Sequence, residues 1–306
     1  MRMRIGHLVG ATVIAIVAAA CAGTSVPSAS PASSAAATAA GGDLVGDIDI
    51  GGRTLSVACL GPVDTGRPTV IFESGLGGDR FVWGDVLTGL MATDRGCSYD
   101  RAGLGASQPG PKPRTTDGQV DDLHALLQAA GIAPPYVFVA HSSGGWNAMV
   151  YADRYPDEVA GAVMVDVRPP ATSETLLAVL PPESSTEPDA LHQTRAELID
   201  FEGDPTLNPE GLDLKGSAVQ AKAAPGFGDA PLVVLTAGDR AANTEGLPAD
   251  LATTFDEIWM ELQTGLVKLS TNGRQEIVPD ATHDMPFEQP GVIVDAIRDV
   301  LGKAAG

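Results

Sequence analysis

The sequence predicts an α/β fold in which one mostly parallel sheet carries helices on both faces, and three observations lead there. From Asp43 onward, short runs of consecutive apolar residues recur, as in "TVIFESG", "YVFVAHSSGG", "AGAVMVDV" and "PLVVLTAG". Strands buried on both faces read in this continuous way, whereas half-exposed strands alternate. These runs are separated by stretches with helical apolar spacing, which is the order of βαβ units. With 306 residues, 44% of them hydrophobic, the chain is also long enough to bury a large core.

The elements follow in chain order. Arg2 and Arg4 precede a short apolar run, Leu8 to Ala20, too short to span a bilayer comfortably, and this pattern reads as an export signal. Its end, "VAAACAG", resembles a bacterial lipobox, so residues 1–21 are expected to be a lipoprotein signal in which Cys21 is acylated and becomes the N-terminus. Ordinary cleavage near Ala20 is the alternative. Residues 22–42, rich in Ala, Ser, Thr and Pro, have too few large apolar side chains to offset their ordering entropy and read as a flexible tether. "GDIDIGGRTLSVACLG" reads as a hairpin turning at Gly51-Gly52. "TVIFESG" is the first fully buried strand and is followed by a helix over Phe81 to Ala92. "CSYDRAGLGAS" is a strand leaving into a loop, and Gln119 to Ala130 is a helix whose apolar positions include Val120, Leu123, Leu126 and Leu127. "YVFVAHSSGG" runs directly from strand into helix. "AGAVMVDV" and "PLVVLTAG" are two further buried strands, "QEIVPDATH" is the last, and Val292 to Leu301 closes the chain as a helix.

One interval breaks this rhythm. Residues 168–230 lie between two core strands, are much longer than a helical crossover, and are rich in Pro, Glu and Asp. Leu176, Leu177, Leu180, Leu191, Leu198 and Phe201 give them something to bury, so a helical lid is expected in place of an acidic loop. The core then comprises residues 43–167 and 231–306.

The formal net charge of −20 argues against a nucleic-acid partner, because phosphate binding needs clustered Lys and Arg. No metal-ligand spacing and no internal repeat is present. If Cys21 is lipidated, Cys59 and Cys97 remain as an even pair in an oxidising setting, and a disulfide is expected, two buried thiols being the alternative.

The chemistry is expected at Ala140-His141-Ser142-Ser143-Gly144. A serine hydroxyl needs a base to act as a nucleophile, and a tight strand-to-helix turn between small residues exposes one. Ser142 sits at the centre of this small-x-Ser-x-Gly pattern and is the candidate nucleophile. Ser143, at the first helical position, offers its backbone N–H to an oxyanion.

With these residues the chain, over about residues 47 to 303, resembles the α/β-hydrolase fold superfamily. The resemblance implies an eight-stranded, mostly parallel sheet, a lid inserted after the sixth strand, and a serine hydrolase with chain order Ser, acid, His. "ESGLGG" stands where many members have His-Gly-x after the third strand, so Leu76 N–H would be the second oxyanion donor. "YDRAGLGAS" resembles a structural Asp-x-x-Gly-x-Gly-x-Ser loop of the family. The family's strand order makes the strands of Cys59 and Cys97 neighbours, which strengthens the disulfide expectation. His283 in "VPDATHDMPFEQP" occupies the family's base position, ahead of a Glu-x-Pro. The other histidines are worse placed: His7 in the signal, His124 on a helix surface, His141 beneath the nucleophile and His192 in the lid.

The acid stays open. Most members carry it after the seventh strand in a Gly-x-x-Asp pattern, where this chain has Ala241, with Asp239 two residues early. Haloalkane dehalogenases place it at the end of the sixth strand, where this chain has Asp166. Asp166 is preferred, Asp239 is the alternative and Asp284 a distant third. The expected activity is that of a carboxylesterase or lipase on a small-molecule ester, requiring no cofactor and no metal. An aminopeptidase of the proline-iminopeptidase type, gripping an ammonium with Glu183, Glu187, Asp189, Glu197 or Asp200, and a cofactor-free perhydrolase are nearest to it. A catalytically silent binding lipoprotein is the alternative of a different class. A monomer is expected, exported and touching the membrane only through Cys21.

Overall fold

A computed structural model describes residues 37–38 and 42–304. The expectations for the export signal, for lipidation at Cys21, for His7 and for most of the tether fall outside the described residues. Among the described residues nine strands form one sheet: β1 (Ala37–Thr38), β2 (Leu44–Asp49), β3 (Thr54–Leu60), β4 (Thr69–Glu73), β5 (Gly96–Tyr99), β6 (Tyr136–His141), β7 (Val159–Val165), β8 (Leu232–Ala237) and β9 (Gly273–Val278). Their order across the sheet is β1-β2-β3-β5-β4-β6-β7-β8-β9. The hairpin strands β2 and β3 and the β3–β5 pair are antiparallel, and from β5 to the β9 edge every pair is parallel. Strands β2–β9 are the eight that the sequence predicts. The ninth, β1, falls within the stretch read as a tether. It adds to β2 by the pairing Ala37↔Val45 and Thr38↔Leu44, and such backbone pairing on an open sheet edge leaves no apolar period to read.

Period-2 geometry divides each continuous apolar run between two cores. Ile71, Phe138, Ala140, Met164, Leu232 and Val234 face the helices α2 (Thr116–Ala129) and α3 (Gly144–Arg154). Their neighbours Val70, Phe72, Val137, Val139, Val163, Val165, Val233 and Leu235 face the opposite layer, built by α1 (Gly84–Leu90) and the C-terminal helix α9 (Pro290–Ala304). Thr115 caps α2 by accepting from the Gly118 amide, which serves one of the amides left free at a helix start.

Residues 168–230 fold into helices: α4 (Thr172–Val179), α5 (Asp189–Ala196) running into a π-helical turn over Glu197–Phe201, and α6 (Leu214–Ala223). Leu191 and Leu198 are buried, whereas Leu176, Leu177, Leu180 and Phe201 are half-buried. The second half of the insertion is tied to the core: the Arg114 amide donates to Gly211 O and the Asp213 amide to Arg114 O. After β8 come α7 (Ala249–Leu266) and, beyond β9, the short α8 (Met285–Glu288).

Cys59 and Cys97 form a disulfide between β3 and β5, where they are direct partners in the ladder. It bridges positions 38 residues apart, for which loop-closure entropy gives roughly 4 kcal/mol of stabilisation. Among the described residues no helix is long and apolar enough to cross a membrane.

Candidate active site

The carboxyl ends of β4, β6, β7, β8 and β9 lie along one edge of the sheet, the usual place for a site in an open parallel sheet. Among the described residues, two that are not glycine have positive φ, and both are at this edge: Ser142 at 52° and Asp166 at 39°. Such conformations cost on the order of 1–3 kcal/mol and persist where the surroundings impose them. Here the glycines show what imposes them. A Cβ on Gly144 would lie 2.5 Å from Ser74 O, and one on Gly145 would lie 2.2 Å from Val167 Cγ1. The first turn of α3 therefore presses against both flanking strand ends, and the chain can enter it only by a sharp bend at Ser142. Ser143 has helical φ and ψ but is the cap residue, the helix itself starting at Gly144.

Asp166 is fully buried at the end of β7. One carboxylate oxygen accepts from the Ala237 amide at 3.1 Å, and the other lies 2.7 Å from His283 Nδ1. A carboxylate accepts only, so Nδ1 carries the proton and Nε2 keeps a lone pair. The His283 loop is held from two sides. Glu288 accepts from the Thr282 amide (2.8 Å) and hydroxyl (2.9 Å), which gives the Glu of the Glu-x-Pro motif a physical role. From below, His141 Nε2 donates to His283 O at 2.7 Å, the two rings lying 4.6 Å apart. Burial, reinforced by the neighbouring His283, lowers the His141 pKa to about 4, so His141 is a neutral prop.

Ser142, Ser143, Leu76, Trp259 and His283 line one chamber of about 260 Å³. Among the described residues the His283 ring bonds Asp166 and not Ser142 Oγ, and nucleophile–base bonds often tighten only with substrate bound. The backbone amides of Leu76 and Ser143 have no hydrogen-bond acceptor among the described residues. A Cβ on Gly75 would lie 3.0 Å from Ser142 Cβ, so the Leu76 loop approaches the serine as closely as glycine allows.

That loop is fixed by residues that sequence reasoning did not single out. Arg101, 4% exposed, donates to Ser74 O and Gly75 O (both 2.6 Å) and forks onto Glu210 at 2.8 and 2.7 Å. Glu210, from the insertion, also accepts from the Gly77 amide at 2.8 Å and from Gln119 at 2.9 Å. Burial pushes the Glu210 carboxyl up, but Arg101 outweighs it and holds it below the usual range. Glu73, on the other side of Arg101, is raised by burial and is hydrogen-bonded by Tyr99 and Asn147. Arg101 lies within the quoted "YDRAGLGAS", but its partner is 109 residues away.

The other candidates are elsewhere. Asp239 is exposed and accepts from the Ala241 amide at 3.1 Å, capping its own turn. Asp284 is exposed, its amide donating to the Thr282 hydroxyl. His124 is stacked on Tyr155 at 3.9 Å and is only half-exposed, its ring covered by a neighbouring helix end; His192 is largely exposed in α5. Of the lid carboxylates, Glu197 lines the chamber, while Glu187 is paired with Arg195. A larger, mostly apolar cavity of about 640 Å³ between α3, α6 and α7 is lined by Met149, Met260 and Leu266 and holds no Ser, Cys or His. Among the described residues no group of three or more His, Cys, Asp or Glu could hold a metal ion.

Comparison with known proteins agrees with the fold. The chain is 28% identical over 233 residues to the uncharacterized protein YqjL of Bacillus subtilis (strain 168), covering 76% of this chain and 83% of that one. Three further curated relatives are matched over 42%, 37% and 36% of their own lengths. A thermophilic esterase from Thermogutta terrifontis superposes with a TM-score of 0.58 at 22% identity, covering 86% of this chain and 99% of that one. Haloalkane dehalogenase DbeA from Bradyrhizobium elkani USDA94 superposes at 0.56 and 16% identity, covering 85% and 98%. At these identities the two structures speak for the fold alone. The family model described as the alpha/beta hydrolase fold matches residues 68–253, and the chain belongs to that family.

Proposed function

We propose that this hydrolase-fold protein is a serine carboxylesterase. The observation that carries the reading is that strained Ser142 and His283, the latter backed by buried Asp166, open onto one chamber beside two amides that have no acceptor among the described residues. In the first half-reaction His283 Nε2 takes the Ser142 hydroxyl proton as Oγ bonds to the ester carbonyl carbon. The Leu76 and Ser143 amides stabilise the oxyanion, and Asp166 holds the imidazole in the tautomer that leaves Nε2 free and stabilises its charged form. Collapse breaks the bond to the alkoxy oxygen, which leaves with the proton from His283. Water, activated by the same Nε2, then adds to the acyl enzyme; the carboxylic acid departs and the proton returns to Ser142. The chain supplies every group in this cycle, and water is the co-substrate.

Of Glu183, Glu187, Asp189, Glu197 and Asp200 only Glu197 lines the chamber, and a second lid carboxylate there, Glu202, is paired with Arg168, which leaves one carboxylate to grip an ammonium and supports the ester over an aminopeptidase substrate. The export reading stands as a further part of the proposal, with a lipid anchor at Cys21. A fluorophosphonate probe tests the enzymatic reading. Labelling lost in Ser142→Ala, together with turnover of 4-nitrophenyl esters, is expected; a folded protein that takes no label would return the chain to a non-catalytic binding role.

A further inference from the structure

A second chamber, of about 330 Å³, adjoins the first and shares Arg168, Glu197, Asn243 and Trp259 with it. Its wall holds a cation with spare valence. Arg240, whose side chain is 11% exposed, lies with its guanidinium 4.3 Å from the centre of the Trp259 ring and hydrogen-bonds Asp256 through Nε at 3.2 Å; the charge of the buried Asp166 carboxylate also acts on it. Neither of its two terminal nitrogens has an acceptor among the described residues. Arg240 lines the chamber, so an anionic group there would replace the water that otherwise serves these nitrogens. The cation–π contact with Trp259 restrains the guanidinium, and a restrained guanidinium favours a bidentate carboxylate. Phe255, Ile258 and Leu198 line the same chamber and suit a short hydrocarbon spacer.

From this geometry we infer an anion subsite: resting on the esterase reading above, the preferred substrates are esters that carry a free carboxylate a few carbons from the scissile bond, bound by Arg240. A dianionic phosphate fits less well. Asp256 already occupies Arg240 Nε, Glu197 is exposed on the shared wall, and Arg168 is engaged by Glu202, so one guanidinium is left to neutralise the ligand.

The test compares, in the intact chain, mono(4-nitrophenyl) adipate with 4-nitrophenyl hexanoate, and 3-acetoxybenzoate with phenyl acetate, so that the carboxylate sits on the acyl or on the alcohol side. In at least one pair the anionic member is expected to show a kcat/KM higher by roughly ten- to a hundredfold, the worth of a charge-assisted hydrogen-bond pair. That ratio should collapse in Arg240→Gln and be partly kept in Arg240→Lys, and because it is measured within each variant, loss of folded protein cancels. No preference in either pair, or a preference that survives Arg240→Gln, overturns the subsite. If no ester is turned over and Ser142 takes no fluorophosphonate, the esterase reading has failed. Calorimetric titration with adipate then reads the subsite alone, with binding that disappears in Arg240→Gln supporting it and absence of binding refuting it.

Discussion

Asp166 and Asp239 follow the ends of neighbouring parallel strands, β7 and β8, and the two turns treat their carboxylates in opposite ways. At Asp166 the backbone takes a positive φ, the side chain is fully buried, and both oxygens are used, one by the Ala237 amide and one by His283. At Asp239 the backbone continues the ladder, its amide donating to Ala281 O, and the exposed carboxylate caps Ala241. The end of β8 thus contributes an amide that orients Asp166 and leaves its own acid in solvent. What separates a candidate triad acid from a turn residue here is the bend of the backbone and the supply of buried donors, since both are aspartates within two residues of a strand end.

The comparison breaks most visibly at Asp166 itself. Asp166→Asn should lower kcat by roughly 10⁴, because the amide donates where a carboxylate accepted and favours the wrong imidazole tautomer. Steady-state turnover of a 4-nitrophenyl ester measures this, and an equal loss in Asp239→Asn would move the acid to β8. Next in size is the buried carboxylate that holds the Leu76 loop through Arg101. Glu210→Gln removes the charge that the Arg101 fork needs, and breaking a buried pair costs on the order of 3–5 kcal/mol. Urea unfolding should show that loss, with kcat reduced more than KM changes if the Leu76 loop loosens.

His141 gives a smaller, pH-dependent effect. Its pKa is about 4 in the folded protein and about 6.5 when unfolded, so between these values the unfolded state binds the extra proton. Stability therefore falls as pH drops from about 6.5 towards 4, by roughly 3 kcal/mol at the lower end. Denaturant titrations at several pH values should show this slope, and His141→Gln should flatten it over that window. The smallest effect is expected at Asp239→Asn. The turn keeps a capping acceptor, so stability should stay within about 0.5 kcal/mol, and thermal unfolding detects more than that.

Much of the architecture is legible in the chain because burial on both sheet faces demands consecutive apolar residues. The "YVFVA", "AVMV" and "LVVL" runs are therefore strands whatever surrounds them. The bend at Ser142 is legible for a similar reason, since Gly144 and Gly145 mark places where a Cβ has no room. The edge strand β1 was not, because pairing through backbone groups alone asks nothing of Ala37 and Thr38. The Arg101–Glu210 fork was not either: a lone arginine in a loop and a lone glutamate in an acid-rich insertion look solvated until the fold brings them together.

By itself the sequence determined which segments are buried, where the chain must turn sharply, and that a serine and a histidine stand at strand ends. These follow from local requirements: apolar period, missing Cβ atoms and turn chemistry. Only the tertiary structure decided which aspartate faces His283, what holds the Leu76 loop, and that an open guanidinium lies beside the chamber of Ser142. Each of these joins residues from distant parts of the chain. Their energies depend on burial and on distances of a few ångströms, which only the packed fold sets.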